Sequence, residues 1–382
     1  MKTTRLWVLS CVALLMTSCI KDEPLNTECD IIKAWVEGEQ YADNFYQPSQ
    51  MRIDNIPTTE TEIIFSVRSL ISLPKMAVFF DITPGATLEP ASGSVQDFSQ
   101  GPVTYTVTSE DGSWQRKYKV IFREANLPKF LFSFENVGEG KAYEGSSSTY
   151  NIFYEVDQFG EHHNIWASGN AGVALVQPDW TPEKFPTYST PNGYSGKGVC
   201  LNTQYAGDLG KMMEKPIAAG NLFLGQFDLM SVLTDPLKAT IFGIPIDREP
   251  VRVTGYYKYK PGETFTDQKM NVVPGRTDEA SIYAVFYRNE DEAGNKIQLY
   301  GNDVLSSPYI LKKAQVAQLP PTDQWTRFEM FFEGGDGENS LVENRGYNFT
   351  LVFSSSKDGA AFEGAIGSEL YIDEVEVSFE KE

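Results

Sequence analysis

The chain has 382 residues, 41% of them hydrophobic and 22% charged, which suits about two or three globular domains and excludes a mainly disordered or fibrous protein. Its 52 acidic against 32 basic side chains leave a formal net charge of −20, so it lacks the basic footprint that nucleic-acid binding requires. The two histidines, His162 and His163, cannot build a histidine-rich metal centre, and four cysteines at 11, 19, 29 and 200 form neither a disulfide framework nor a clustered zinc site. Aromatic residues at 13% favour sheets over helical bundles.

At the N-terminus Lys2 and Arg5 precede an apolar run, Leu6 to Met16, and Thr17 and Ser18 lead to Cys19. A basic start, an apolar stretch too short to span a membrane and small residues at its end describe a secretory signal peptide over residues 1–18. Small residues directly before a cysteine resemble the bacterial lipoprotein signal, in which cleavage exposes the cysteine for acylation. That resemblance implies lipidation of Cys19 and membrane attachment through this N-terminal anchor only. Lys21, Asp22 and Glu23 open a polar tether over 19–29. Acidic residues at that place are similar to the surface-export signal of Bacteroidetes outer-membrane lipoproteins, so an outer-membrane lipoprotein displayed on the cell surface is expected. Cys29 and Cys200 read as free thiols.

Residues 30–124 read as short strands making a small sandwich of seven-strand size. Ile63, Phe65 and Val67 alternate in period two, Ala77 to Asp81 follows, and Ile82 to Ala86 breaks that strand with turn residues. Val103, Tyr105 and Val107 alternate again, Glu110 to Ser113 turns with Gly112 supplying a positive φ, and Trp114 to Phe122 returns. Trp35 and Trp114 read as core. The runs Ile82 to Gly93, Asp97-Phe98 and Tyr105 to Gly112 resemble the immunoglobulin-like modules near the membrane anchor of bacterial surface glycan-handling lipoproteins, which implies a spacer. A linker of Glu124 to Lys129 follows.

Residues 130–382 offer only one short helical stretch, Leu209 to Lys215. Strands are expected at 130–135, 171–176, 221–229, 251–260, 281–288, 325–332, 347–354 and 370–379, the last interrupted near Asp373 and Glu374. Tyr257 and Tyr259 face away from Tyr256 and Lys258. Apolar residues on both faces of several strands suit sheets packed on each other, and the unit reads as a jelly roll with long loops. The chain as a whole is therefore expected to be all-β, an immunoglobulin-like sandwich followed by a larger jelly roll.

Phe132 to Glu135, Trp166 to Gly172, Gly255 to Gly262, Phe353 to Gly359 and Phe362 to Val375 together resemble the putative carbohydrate metabolism domain of Bacteroidetes lipoproteins. The family is linked to polysaccharide utilisation and is similar in fold to jelly-roll carbohydrate-binding modules. In such modules carboxylates on neighbouring first and last strands hold a structural calcium. The resemblance thus implies one calcium held by Glu135 and Asp373, with Asn170 as a further oxygen donor.

A sugar ring offers C–H patches to aromatic planes and hydroxyls to polar side chains. Trp180, Tyr188, Tyr194 and Tyr205 lie in a loop-rich stretch stiffened by Pro182, Pro186 and Pro191, and with Tyr256 they form the expected ligand-binding set. A sheet surface lined by Tyr256, Tyr283 and Tyr287 is the other location considered, while Trp166 and Trp325 read as core. A glycosidase would need two carboxylates across a cleft, and spacing alone pairs none of Glu135, Asp157, Glu161, Asp179, Glu263 and Glu329. A lyase would need a Tyr or His base, but His162 and His163 read as a solvent-facing turn after Gly160. The Gly193 to Gly198 stretch lacks the strand-to-helix setting of a phosphate loop.

The expected function is surface capture of polysaccharide or oligosaccharide without catalysis, alongside surface transporters or glycosidases as neighbours. One alternative is a structural or adhesin-like protein-interaction lipoprotein. Another is a glycoside hydrolase or lyase.

Overall fold

The computed structural model describes residues 24–379 except 43, 46–47, 68–72, 74, 125–129, 178 and 344. The signal peptide, Cys19 and residues 125–129 of the linker lie outside the described residues. The chain divides into two compact units, the first formed by residues up to Arg123 and the second mainly by Glu124–Glu382. Nearly all regular structure is β, and among the described residues no helix is long and apolar enough to cross a membrane.

In the first unit two four-stranded sheets carry eight strands among the described residues, one more than the size of the stretch suggested. One sheet runs in the order 52–53, 31–36, 76–82, 95–96, and the other 62–67, 115–124, 103–108, 87–89. Phe80 of the first sheet packs on Tyr105 of the second at 4.7 Å between ring centres, and Phe65 stacks on Phe122 at 5.2 Å. Gly112 adopts the positive φ its turn requires, +71°. Trp114 is not core: it sits at the hairpin with 63% of its surface exposed. Trp35 is only half-buried, stacking on Phe79 at 5.9 Å with Arg52 over its ring. Part of the expected tether belongs to this unit, because the Asn26 N–H donates to Glu110 at 2.8 Å and the Asp111 N–H donates back to the Asn26 carbonyl at 3.3 Å.

Eight principal strands build the second unit: β1 Gly198–Asn202, β2 Asn221–Phe227, β3 Arg252–Lys260, β4 Ser281–Arg288, β5 Ile310–Gln315, β6 Thr322–Phe331, β7 Tyr347–Ser354 and β8 Glu369–Ser378. One sheet has the order β1-β8-β3-β6 and the other β2-β7-β4-β5, all neighbours antiparallel. Such alternation of successive strands between two sheets is the jelly-roll pattern. Thr187–Thr190 adds an edge strand beside β1. The expected strand at 171–176 is instead a short helix, Asn170–Ala174.

Val199 and Leu201 of β1, Val253, Tyr257 and Tyr259 of β3, and Leu370 and Ile372 of β8 face Leu222 and Leu224 of β2, Ile282 and Phe286 of β4, and Phe349, Leu351 and Phe353 of β7 in the main core. The second sheet is covered on its other face as well. Phe223, Phe242, Tyr283, Val285, Tyr287, Leu299 and Val304 form a second buried cluster there, which leaves β4 and β7 buried almost throughout. Tyr283 and Tyr287 are therefore core residues and not a binding surface, Tyr287 donating its hydroxyl to the Phe242 carbonyl at 2.5 Å. The outer face of the β1-β8-β3-β6 sheet carries half-buried side chains and, among the described residues, no such second cluster.

Candidate functional site

Strict alternation along β3 buries Val253, Gly255, Tyr257 and Tyr259 and leaves Arg252, Thr254, Tyr256 and Lys258 half-buried on the opposite face, as the pattern of its two tyrosine pairs implies. Register then aligns side chains across the sheet. Tyr188 of the edge strand stands opposite Cys200 of β1, Cys200 opposite Tyr371 of β8, and Tyr371 opposite Lys258 of β3. The Lys258 ammonium lies 4.6 Å from the ring centre of Trp325 on β6 and 5.4 Å from that of Tyr371. One row of side chains, Tyr188, Cys200, Tyr371, Lys258 and Trp325, thus crosses five strands.

A second aromatic layer comes from the loop 191–197 between the edge strand and β1. Tyr194 lies flat on Tyr256, rings 3.7 Å apart and 7° from parallel, and meets Trp325 edge-on at 6.4 Å. The loop can take this shape because Gly193 and Gly196 lack side chains. A Cβ on Gly193 would sit 2.4 Å from the Lys197 carbonyl oxygen and 2.7 Å from Asp373 Oδ2, and one on Gly196 would sit 2.0 Å from Glu135 Oε1. Two carboxylates grip the loop's backbone. Asp373, wholly buried, accepts the Ser195 N–H on Oδ2 at 2.9 Å and the Glu374 N–H on Oδ1 at 2.8 Å. Glu135 accepts the Lys197 N–H at 2.8 Å, and Lys197 Nζ donates to the Glu135 carbonyl at 3.1 Å.

Burial sets the charge state of this face. It pushes the Asp373 carboxyl up to about 6 against the loop amides that favour its ionised form. The Cys200 thiol is pushed up to about 11 by burial, and burial likewise holds the Tyr188 and Tyr371 phenols above their usual range. At neutral pH the thiol and both phenols of the row are therefore uncharged.

Of the expected ligand-binding set, the fold brings Tyr188, Tyr194 and Tyr256 together. Trp180 packs edge-on against buried Phe185 at 5.6 Å, and Tyr205 donates to Asp208 at 2.7 Å in a separate hairpin with Ile217–Ala218. Sequence reading missed Trp325, Tyr371 and Lys258. Tyr371 had a usable signal, since Leu370 and Ile372 on either side mark the core phase of β8.

The three expected calcium ligands do not assemble. Glu135 and Asp373 meet the same loop, but Asn170 spends its carboxamide on the Thr187 backbone, donating to its carbonyl at 2.6 Å and accepting its N–H at 3.1 Å. Thr187 is in register with Leu201 and Leu370, three residues along β8 from Asp373, or roughly 10 Å at the usual rise of a strand. No group of three or more His, Cys, Asp or Glu able to hold a metal ion occurs among the described residues.

Asp157 and Glu329 are committed elsewhere. The turn after Phe159 exists, but His163 is fully buried, its Nε2 3.1 Å from Asp157 Oδ2, and His162 stacks on Tyr154 at 4.2 Å. Glu329 is shared by Arg252 at 3.5 Å and Arg327 at 3.3 Å.

Fold and face together define a jelly-roll protein that presents an aromatic-lined sheet, carried with a smaller β-sandwich module. Residues 133–378 match the family described as putative carbohydrate metabolism domain, and residues 45–121 match the SGBP N-terminal family. The chain belongs to the putative carbohydrate metabolism domain family. It is similar to a solved protein of Bacteroides thetaiotaomicron described as a putative glycoside hydrolase, with 35% identity over 95% of this chain and 100% of that one and a TM-score of 0.65. A Bacteroides vulgatus protein described in the same words is 37% identical over 65% of this chain and 97% of that one, with a TM-score of 0.59. No curated protein matches the chain.

Proposed function

We propose that this protein captures glycan on the open face of the β1-β8-β3-β6 sheet, without cleaving it, while held at the outer membrane by a lipid on Cys19. The observation that carries the reading is the aromatic row across five strands, extended by the Tyr194–Tyr256 stack. Rigid rings on a sheet bury the apolar face of a sugar with little loss of side-chain entropy. Sequence support for the anchor is the small pair Thr17 and Ser18 before Cys19.

Calorimetric titration of the soluble fragment 20–382 against plant, host and microbial polysaccharides, with the same mixtures assayed for new reducing ends, tests this reading. Heat without reducing ends is expected. Trp325→Ala and Tyr371→Ala should each weaken binding by about 2 kcal/mol, roughly thirtyfold in Kd, with the fold retained, since anchors of this kind dominate recognition. Trp180→Ala and Tyr205→Ala should leave affinity unchanged. New reducing ends would establish the glycoside hydrolase reading, which the two Bacteroides relatives favour by their descriptions. Silence with every polysaccharide would favour a protein-interaction role.

A further inference from the structure

The binding row contains one residue that a platform for neutral sugar does not need. Lys258 reaches it from the middle of β3, and its ammonium makes no hydrogen bond and no ion pair among the described residues, its neighbours being the rings of Trp325 and Tyr371. The negative face of each ring attracts the ammonium, but a ring face leaves its N–H donors without a conventional acceptor.

Three of the acidic side chains near the row have partners within the chain. Glu369, diagonal to it on β8, accepts the Asn202 amide at 3.1 Å. Glu329 on β6 is shared by Arg252 and Arg327, and Asp373 is buried beneath the loop amides. A ligand can therefore offer Lys258 the acceptor that it lacks among the described residues.

We infer that the platform selects acidic glycans, and that Lys258 is the specificity-determining residue that pairs with their carboxylate or sulfate groups as neighbouring pyranose rings stack on Trp325 or Tyr371. This rests on the glycan-capture reading above and narrows it to a substrate class. The net charge of −20 opposes polyanions, and Glu369 is itself diagonal to Lys258. At ordinary ionic strength charges beyond about 8 Å are screened, so only the acids near the row act strongly on a ligand bound there.

The probes are polygalacturonate, carrageenan and carboxyl-reduced polygalacturonate, which carry carboxylate, sulfate and no charge. They are titrated against the fragment 20–382 and its K258Q and K258R variants, beside a neutral plant, host and microbial panel, with melting curves confirming that each variant is folded. Binding to polygalacturonate or carrageenan about tenfold tighter than to the carboxyl-reduced polymer is expected, weakening several-fold as salt rises. K258Q should lose that tenfold preference and K258R should keep it. Which anionic polymer binds distinguishes carboxylate from sulfate as the partner. Binding confined to neutral glycans, or an anionic preference that survives in K258Q, would overturn the acidic-glycan assignment and leave the capture reading intact. Absence of binding to any glycan, neutral panel included, would overturn both.

Discussion

Glu155 carries a carboxyl into the second unit's interior, where Oε1 accepts the indole N–H of Trp166 at 2.9 Å and burial pushes its pKa up to about 7. A carboxyl whose folded pKa is raised contributes stability that is complete below its unfolded value near 4.5 and lost as pH rises through about 7. Glu155→Gln keeps the acceptor for Trp166 and removes the charge. It should therefore stabilise the protein by about 1–3 kcal/mol at pH 8 and have little effect at pH 4, a difference readable from paired melting curves. Single residues were the hardest scale to read from sequence. Trp166 and Trp325 look alike in the chain, yet one is core at 5% exposure and the other joins the platform. What separates them is which face of which strand each occupies, and that depends on partners distant in sequence.

The loop 191–197 shows how an element is shaped by contacts its own sequence does not contain. Its glycines announce a turn, but their positions matter because Asp373 and Glu135 press against them. Gly193→Ala would drive a Cβ into the Lys197 carbonyl and Asp373, so it should lower stability by about 1–3 kcal/mol and weaken glycan binding through displacement of Tyr194. Calorimetry and thermal melting of the same variant would show both effects. The interruption expected in the last strand is a bulge. Glu374 takes φ of +49° between Asp373, which pairs with Tyr256, and Glu376, which pairs with Thr254. That bulge turns Asp373 under the loop and so helps place Tyr194. The error at 171–176 has a plain cause, because a six-residue apolar run fits a strand and a helix equally until its surroundings decide.

Over the whole molecule, the open face exists because the two sheets of the jelly roll are treated differently. Phe223, Tyr283, Tyr287 and their neighbours close the outer side of one sheet, and among the described residues no such cluster covers the row on the other. The lipid anchor proposed at Cys19 predicts that Cys19→Ala shifts the full-length protein from the detergent phase to the aqueous phase in a partition experiment, with glycan affinity unchanged. Sequence alone determined the all-β class, most of the long strands and the phase of Tyr256 and Lys258 on β3, because period-two alternation and turn residues are local properties of the chain. Only the tertiary structure decided that Tyr283 and Tyr287 are core, that Asn170 braces Thr187, and that Trp325, Tyr371 and Lys258 meet Tyr188 in one row. Those facts follow from β1-β8-β3-β6 pairing between strands distant in sequence, and no local pattern encodes which strand will lie beside which.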